Sequence, residues 1–279
     1  FGDFLRPRRG RTAAAFADAI PLKHPQITWP QSVARHPSYL KLLGGFERLW
    51  AISEASRVEL LGYWRWLGLA NPPRVDVLPL GADLAGTHRV VTASSPAGAR
   101  TSLLCVGILE PRKNQMFLLE VGEKLWSDGL AFELHVVGRV NPHFGRPVVA
   151  RIKSLRRRFP GLHYHEAASD ELLTRLYANA RATVFPTLAE GCGLPLLESL
   201  WHGVPCVCSD LPVLRENADG GGCVAVTVND RLAWAGALRR ILTDDAFVEN
   251  LGREAMSRPL PTWADAAKVL RAGLDSHSA

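Results

Sequence analysis

Short apolar runs alternate with helix-period segments from residue 101 onward. SLLCVG (102–107) and FELHVVG (132–138) each end in glycine, and QMFLLEVGEKLW between them has apolar residues at helical spacing. The alternation predicts further helices over 148–159, 170–180 (with Asp170 as N-cap), 194–203, 230–242 and 263–274, and strands over 162–167, 182–186, 204–209 and 222–228. Strands that alternate with helices form parallel sheets through right-handed crossovers. The pattern therefore predicts the α/β class, with a Rossmann-like domain over residues 100–260.

The front of the chain has a sparser pattern. It predicts at least one helix within 38–68 and short strands within 12–20, 49–53 and 74–82. So few strands do not complete a doubly wound sheet, so we expect 1–85 to be the C-terminal portion of a second Rossmann-like domain. A sequence that opens with Phe1 fits this expectation of a fragment. The small, polar segment 86–99 is predicted to be an interdomain linker, and 261–279 a C-terminal helix.

The composition is typical of a globular protein. Of the 279 residues, 47% are hydrophobic and 22% charged. No apolar run approaches the roughly 20 residues of a membrane-spanning helix. The five cysteines form no C-x-x-C motif, and their odd number argues against a disulfide framework and for a reducing compartment. Cys206 and Cys208 could bind a metal, but VPCVCS is more typical of a buried strand.

Positive charge is concentrated in two clusters. The net charge is +6, and RPRRGR (6–11) and RIKSLRRR (151–158) carry much of it. Such clusters suit an anionic membrane surface, a polyphosphate or a nucleic acid, and the alternative is a solvated helix face. Neither cluster has interleaved aromatic residues, so we expect no nucleic-acid partner.

The loop after the first strand of the predicted Rossmann-like domain holds candidate phosphate ligands. Ligands bind parallel sheets beyond the carboxyl ends of the strands. The loop ILEPRKNQ has no G-x-G-x-x-G motif, which argues against a dinucleotide-binding oxidoreductase. Instead Arg112 and Lys113 stand together before a helix, whose N-terminus already favours anions. The pair predicts a pyrophosphate clamp, and the alternative is an ordinary exposed pair.

A second candidate loop is AEGCGLPLLE (189–198). Gly191 and Gly193 allow the backbone to approach a ligand closely, and the N–H groups around 192–195 can receive a phosphate or a sugar hydroxyl. Glu190 precedes this turn and Glu198 lies one helical turn beyond it. Each carboxylate can accept two hydrogen bonds from a vicinal diol, so the spacing predicts a nucleoside diphosphate sugar held along its length. The alternative is a capping Glu190 and a surface Glu198.

These residues resemble a known family. The segments VGILEPRKN, 170–216 and TWADAAKVL resemble the C-terminal half of retaining glycosyltransferases of the GT-B class, family 4 (group 1), with Glu190 and Glu198 matching the E-x7-E motif. DAIPLKHPQ, RHPSYL and AISEASRVELLGYW resemble the last third of the partner, acceptor-binding domain in bacterial mannosyltransferase-like members. The resemblance implies a GT-B fold from which the front of the acceptor domain is absent.

The resemblance also implies roles. Arg112 and Lys113 would hold the donor diphosphate and stabilise the leaving group. Glu190 and the 191–194 backbone would contact the donor sugar, Glu198 the ribose, and residues 163–168, including His165 and Glu166, the base. The reaction would move a hexose such as mannose from a GDP- or UDP-sugar to a polysaccharide or lipid-linked acceptor with retention. No metal and no cofactor would be required, which fits the absence of a D-x-D motif. We expect a cytoplasmic, bacterial protein with peripheral contact at the inner face of the cell membrane.

Two positions depart from the family pattern. Ile108 stands where many members have arginine, and Ala17 where others have a histidine that faces the donor sugar. A non-catalytic nucleotide-sugar-binding module or an inactive fragment is therefore an alternative, and an epimerase or phosphorylase a more distant one. His163, His165 and Glu166 form a conceivable metal trio, for which a base-lining or solvated role is the favoured interpretation.

Overall fold

The computed structural model describes residues 12–84, 86–92 and 101–275. They divide into two compact units. The first comprises the described residues of Phe1–Gly81, Ala189–Cys192 and Pro261–Ala279, and the second those of Ala82–Leu188 and Gly193–Leu260. The basic cluster at 6–11 and residues 93–99 of the predicted linker lie outside the described residues.

The first unit is built on a parallel sheet of three strands in sequence order. Its elements are β1 (Ala13–Phe16), α1 (Ile20–Lys23), α2 (Pro30–Leu43), β2 (Arg48–Ala51), α3 (Glu54–Trp66), β3 (Val75–Val77) and, at the chain's end, α11 (Trp263–Asp275). Phe16, Leu49 and Trp64 are buried in its core, where the Trp64 indole N–H donates to the Leu40 carbonyl at 2.8 Å. Helix α11 packs on the same unit through Ala266, beside Trp50.

The second unit is a six-stranded parallel sheet flanked by helices. Its strands are β4 (Ser102–Val106), β5 (Glu133–Val137), β6 (Leu162–His165), β7 (Ala180–Phe185), β8 (Cys206–Ser209) and β9 (Cys223–Val226). Its helices are α4 (Gln115–Ser127), α5 (Arg146–Arg156), α6 (Asp170–Asn179), α7 (Leu194–Trp201), α8 (Pro212–Ala218), α9 (Arg231–Thr243) and α10 (Asp245–Ser257). The strand order is β6-β5-β4-β7-β8-β9. The order changes direction between β4 and β7, so the crevice for a ligand lies at the carboxyl ends of these two strands.

The α/β class and the parallel sheets predicted from the sequence are confirmed, with corrections at the level of single elements. Ser169, and not Asp170, is the N-cap of α6, because its hydroxyl accepts the Leu172 N–H at 3.2 Å. Helices α8 and α10 were not predicted. Asp244 caps α10 by accepting the Phe247 N–H, a signal that stood in the sequence.

Part of the predicted linker is fixed to the second unit. The Arg89 guanidinium donates to three backbone carbonyls, those of Leu200 at 2.6 Å, Ala255 at 2.7 Å and Arg258 at 3.0 Å. Helix C-termini leave such carbonyls unpaired, and a basic side chain satisfies them. Residues near Arg89 are therefore held by the ends of α7 and α10.

Two further findings concern composition. All five cysteines lie among the described residues and are free, and Cys206 and Cys208 are buried in β8, as the sequence predicted. Within the described ranges, every helix is too short or too polar to cross a membrane.

Candidate functional site

The loops after β4 and β7 are joined by hydrogen bonds. The Arg112 carbonyl accepts the Thr187 hydroxyl at 3.0 Å and the Leu188 N–H at 2.8 Å. The Asn114 side chain donates to the Pro186 carbonyl at 3.1 Å. The loop that holds Arg112 and Lys113 is thereby joined, at the strand-order switch, to the residues that directly precede the second candidate loop.

Lys113 is the buried cation of this edge. It ends a 3₁₀ turn, Pro111–Lys113, and is only 9% exposed. Its ammonium lies 4.9 Å from the centroid of the Phe185 ring, at the end of β7. A cation over an aromatic face is stabilised by the ring quadrupole, so Phe185 offsets part of the cost of burying the charge. Lys113 therefore carries its positive charge to the end of β7, and its predicted role in a diphosphate clamp stays a prediction.

Arg112 has a different environment from Lys113. Its guanidinium lies 3.0 Å from the carboxylate of Glu110, to which its Nε donates at 3.0 Å. Glu110 also accepts the Asn141 side-chain N–H at 3.0 Å. A carboxylate that already occupies the guanidinium competes with a phosphate, so the two cations are not equivalent. The predicted diphosphate role of Arg112 stays a prediction, and Glu110 is a partner that the sequence analysis missed.

Glu198 is a half-buried group in a hydrogen-bonded arrangement. Its Oε2 accepts the hydroxyl of Tyr177, a fully buried residue of α6, at 2.9 Å. Burial raises the pKa of Glu198 above its ordinary value, while the Tyr177 hydrogen bond and the positive charge of Lys113 act in the opposite direction. The alternative of a surface Glu198 is therefore wrong. The carboxylate is positioned, and it senses the charge of Lys113.

The Tyr177 ring is itself held by an aromatic neighbour. The imidazole of His202, just past the end of α7, stacks on it with ring centroids 4.8 Å apart and planes 11° apart. Burial lowers the pKa of His202 to about 4, so the imidazole is neutral near pH 7. Burial and the Glu198 carboxylate raise the pKa of Tyr177, which keeps its hydroxyl protonated as a donor.

The N-terminus of α7 offers a backbone donor. Its N-cap is Gly193, with a positive φ of 84°, and an added Cβ there would lie 2.5 Å from the Leu214 side chain. Pro195 has no N–H, and the Leu196 N–H donates to the Gly193 carbonyl at 3.0 Å. The remaining N–H of the first turn, that of Leu194, is of the kind that a ligand at a helix N-terminus can use. The N-cap residue is a glycine and has no side chain to cap the helix, and the alternative of a capping Glu190 stays a prediction.

The segment Ala189–Cys192 belongs to the first unit, where its backbone is tightly packed. The Gly191 carbonyl accepts hydrogen bonds from the hydroxyls of Ser53 at 2.6 Å and Ser56 at 3.0 Å. A Cβ on Gly191 would lie 2.6 Å from the Ala17 carbonyl oxygen, so only glycine fits. Cys192 is buried and Glu190 half-buried. Their predicted sugar contacts stay predictions.

The structure shows the exposure and the hydrogen bonds of Ala17 and Ile108, the two residues that depart from the family pattern. The Ala17 carbonyl accepts the Ser56 hydroxyl at 2.7 Å, and the Ala17 side chain is exposed. Ala17 thus adjoins Gly191, and the prediction that position 17 faces the donor sugar stays a prediction. Ile108 is 37% exposed, and its carbonyl accepts the Gln115 side-chain N–H at 2.9 Å.

The predicted base-lining residues lie at the end of β6. His165 is half-buried and its Nε2 lies 3.0 Å from Nδ1 of His135, whereas Glu166 is exposed. The conceivable metal trio of His163, His165 and Glu166 is wrong in its membership. Among the described residues, the donor atoms that converge belong to Glu133, His135 and His163. The sequence analysis missed the β5 members because they precede their β6 neighbours by about 30 positions.

The basic segment on α5 is partly neutralised. Arg151 forms an ion pair with Glu123 of α4, and Arg158 binds the other oxygen of the same carboxylate at 2.6 Å. Arg156 and Arg157 are exposed. The membrane contact expected of this segment therefore depends on fewer charges than the sequence suggested.

The fold and the site together define a class, the α/β proteins of GT-B fold. Sucrose-phosphate synthase from Thermosynechococcus elongatus superposes with a TM-score of 0.78 at 21% identity, covering 99% of this chain and 71% of that one. An α,α-trehalose-phosphate synthase from Burkholderia xenovorans gives a TM-score of 0.70 at 14% identity over 97% of this chain and 69% of that one. At such identities the likeness concerns the fold.

The sequence comparisons identify the family. The model of the glycosyl transferases group 1 family matches residues 100–244, and the chain belongs to that family. The serotype-specific mannosyltransferase WbdA of Escherichia coli is 32% identical over 232 residues, 75% of this chain and 28% of the relative. The O-antigen chain mannosyltransferase B of Escherichia coli is 34% identical over 147 residues, 52% of this chain and 38% of the relative. The chain thus spans well under half the length of these two relatives.

Proposed function

We propose that this chain is the donor-binding part of a retaining glycosyltransferase that uses a nucleoside diphosphate sugar. The observation that carries the proposal is the pairing of a buried ammonium, Lys113, with a positioned carboxylate, Glu198, at the strand-order switch. An ammonium suits a diphosphate, and a carboxylate suits the vicinal hydroxyls of a ribose. Family membership and the mannosyltransferase relatives support the same assignment.

The chemistry follows from where charge develops. When the bond between the sugar and the diphosphate breaks, negative charge accumulates on the departing phosphate. The Lys113 ammonium, with the Leu194 N–H and Arg112 if it leaves Glu110, would stabilise that charge in a site partly shielded from water. Glu198 would hold the ribose so that the phosphates meet these donors. We propose that these groups replace a metal ion in neutralising the diphosphate.

The finer assignment is mannose from GDP-mannose, delivered to a polysaccharide or lipid-linked glycan at the cytoplasmic face of a membrane. It is supported by the printed names of the relatives, which include serotype-specific and O-antigen mannosyltransferases. The assignments of the base, the acceptor and the linkage rest on this proposal. They do not rest on any single side chain described above.

Isothermal titration with GDP and with UDP tests the donor site. We expect wild-type protein to bind one of them, and Glu198→Gln to weaken that binding by roughly tenfold to a hundredfold, as for the loss of a charge-assisted hydrogen bond. Glu249→Gln, on an exposed glutamate of α10, is the matched control and should bind as wild type does. Absence of binding by both nucleotides, or equal affinity in the two variants, would overturn the proposal.

A second candidate function is a nucleotide-sugar-binding module without turnover. It is favoured by Ala17, whose carbonyl adjoins Gly191 and whose side chain stands where other family members are expected to have a histidine. Incubation of the protein with GDP-mannose separates the two candidates. Release of GDP supports the transferase, and binding without GDP release supports the module.

A further inference from the structure

Three histidines form a column on one face of β5 and β6. His135 lies opposite His163 in the strand register, and His165 follows two residues later on β6. The ring centroids of His135 and His163 are 4.6 Å apart, those of His135 and His165 are 5.3 Å apart, and both pairs are within 18° of parallel. Because β6 is the edge strand of the sheet, the column borders solvent. These rings take no part in the proposed Lys113 and Glu198 chemistry.

A carboxylate converges with two of the rings. Glu133 Oε2 lies 3.2 Å from His135 Nε2, and Glu133 Oε1 lies 3.8 Å from His163 Nε2. One donor atom from each of the three residues falls within 4.8 Å of the others. In a tetrahedral zinc site with Zn–N bonds of about 2.0–2.1 Å, the ligand atoms are roughly 3.3 Å apart. The separation of Glu133 Oε2 and His135 Nε2 is close to that value, whereas His163 Nε2 lies 3.8 Å from the other carboxylate oxygen and would have to move closer to complete a tetrahedral site.

The hydrogen bond between His135 and His165 bears on the tautomer of His135. If Nδ1 of His135 donates to Nε2 of His165, then His135 Nε2 carries a lone pair and faces the Glu133 carboxylate at 3.2 Å. In that tautomer a cation between the two atoms would remove their repulsion, whereas in the other tautomer the His135 Nε2–H donates to the carboxylate. Metal-bound histidines commonly donate their second N–H to a neighbouring acceptor, the place that His165 fills here.

We propose that Glu133, His135 and His163 bind a divalent transition-metal ion of the zinc type, with His165 as the positioning residue for His135. Imidazole with a carboxylate suits Zn²⁺, Ni²⁺ and Cu²⁺ better than Mg²⁺ or Ca²⁺, which prefer oxygen ligands alone. Three protein ligands leave a fourth position for water. The ion would join β5 to the edge strand β6.

The charge of Arg156 bears on the strength of the site. Burial, together with His135, lowers the pKa of His163 and of His165. The positive charge of Arg156 acts on both rings in the same direction. That charge also opposes a bound cation, so Arg156→Gln is expected to strengthen metal binding.

Equilibrium dialysis of the untagged chain against Zn²⁺ alone tests the site. We expect one bound ion per chain, with affinity reduced at least tenfold in His163→Ala and in Glu133→Gln, both at partly exposed positions that tolerate change. His165→Ala should weaken binding by about 10- to 100-fold, as for loss of a group that orients a ligand. His88→Ala, at an exposed histidine outside the column, is the matched control and should leave binding unchanged.

Substitution of Co²⁺ distinguishes this site from the cysteines. A site of nitrogen and oxygen ligands gives a tetrahedral cobalt spectrum without the intense thiolate charge-transfer band, and that spectrum is expected here. A thiolate band, no bound ion, or binding that survives both His163→Ala and Glu133→Gln would overturn the proposal. If no ion binds, or if binding survives both substitutions, the column is a hydrogen-bonded chain from Glu133 through His135 to His165.

Discussion

The hydrogen bond from Tyr177 to Glu198 can be removed with little change of shape. Tyr177→Phe deletes one oxygen atom, 2.9 Å from the Glu198 carboxylate, and leaves the aromatic ring to stack on His202. The variant therefore tests whether this hydroxyl supports the ionised form of Glu198, on which the proposed ribose contact depends.

The magnitude follows from the charge of the acceptor. A hydrogen bond to a charged group contributes about 1.5–3 kcal/mol, and one between neutral groups about 0.5–1.5 kcal/mol. The pKa of Glu198 is raised by burial. A carboxyl of this kind contributes stability that is complete below its unfolded-state pKa and is lost as the pH rises through its folded-state pKa. Without the Tyr177 hydroxyl, the folded protein loses still more stability when Glu198 ionises. The variant should therefore be destabilised by about 1.5–3 kcal/mol where Glu198 is ionised and by less where it is protonated.

Amide hydrogen exchange of peptides covering α6 and α7, at neutral and mildly acidic pH, measures the local free energy of opening. Tyr164→Phe is the matched control, because the Tyr164 hydroxyl donates to a neutral acceptor, the Gly138 carbonyl, at 3.1 Å. We expect a pH-dependent loss in Tyr177→Phe and a pH-independent one, measured over β6, in Tyr164→Phe. Equal losses at both pH values in the Tyr177 variant would refute the reasoning.

Two further predictions concern the loops. Gly191→Ala should destabilise the first unit by several kcal/mol, because the added Cβ would lie 2.6 Å from the Ala17 carbonyl oxygen. Gly62→Ala, in α3 with open space around it, should instead stabilise the chain by about 1 kcal/mol. Thermal unfolding of both variants checks the difference. Lys113→Met should weaken GDP binding by roughly tenfold to a hundredfold and change guanosine binding much less, since guanosine has no phosphate. Titration with each ligand measures this, and equal losses for both would contradict a phosphate role.

The sequence predicts the sheet and the site edge because both depend on local signals. Apolar runs that end in glycine mark β4 and β5, and the proline near the start of α7 marks the next helix. Once the strands are known to be parallel, their carboxyl ends must share one edge. The nearness of Lys113 to the loop after β7 therefore follows from topology.

Side-chain pairing could not be predicted in the same way. Whether Arg112 faces a ligand or Glu110 depends on rotamers that the spacing of two residues leaves open. The environment of Glu198 depends on Tyr177 of α6, 21 positions earlier in the chain. The column of His135, His163 and His165 likewise forms only because of the register in which β5 pairs with β6. These are tertiary contacts, and one sequence contains no local pattern that specifies them.

The energetics of the pair at the sheet edge favour a ligand-binding role over a stabilising one. Lys113 is a buried cation, and Glu198 is a half-buried carboxyl whose pKa burial has raised. Replacing such charges with apolar residues of similar volume is often neutral or stabilising in proteins. Phe185 and Tyr177 offset part of the desolvation. A diphosphate at Lys113 and ribose hydroxyls at Glu198, as proposed above, would add charge-assisted hydrogen bonds at both groups, which would explain why charged and not apolar residues stand at this edge.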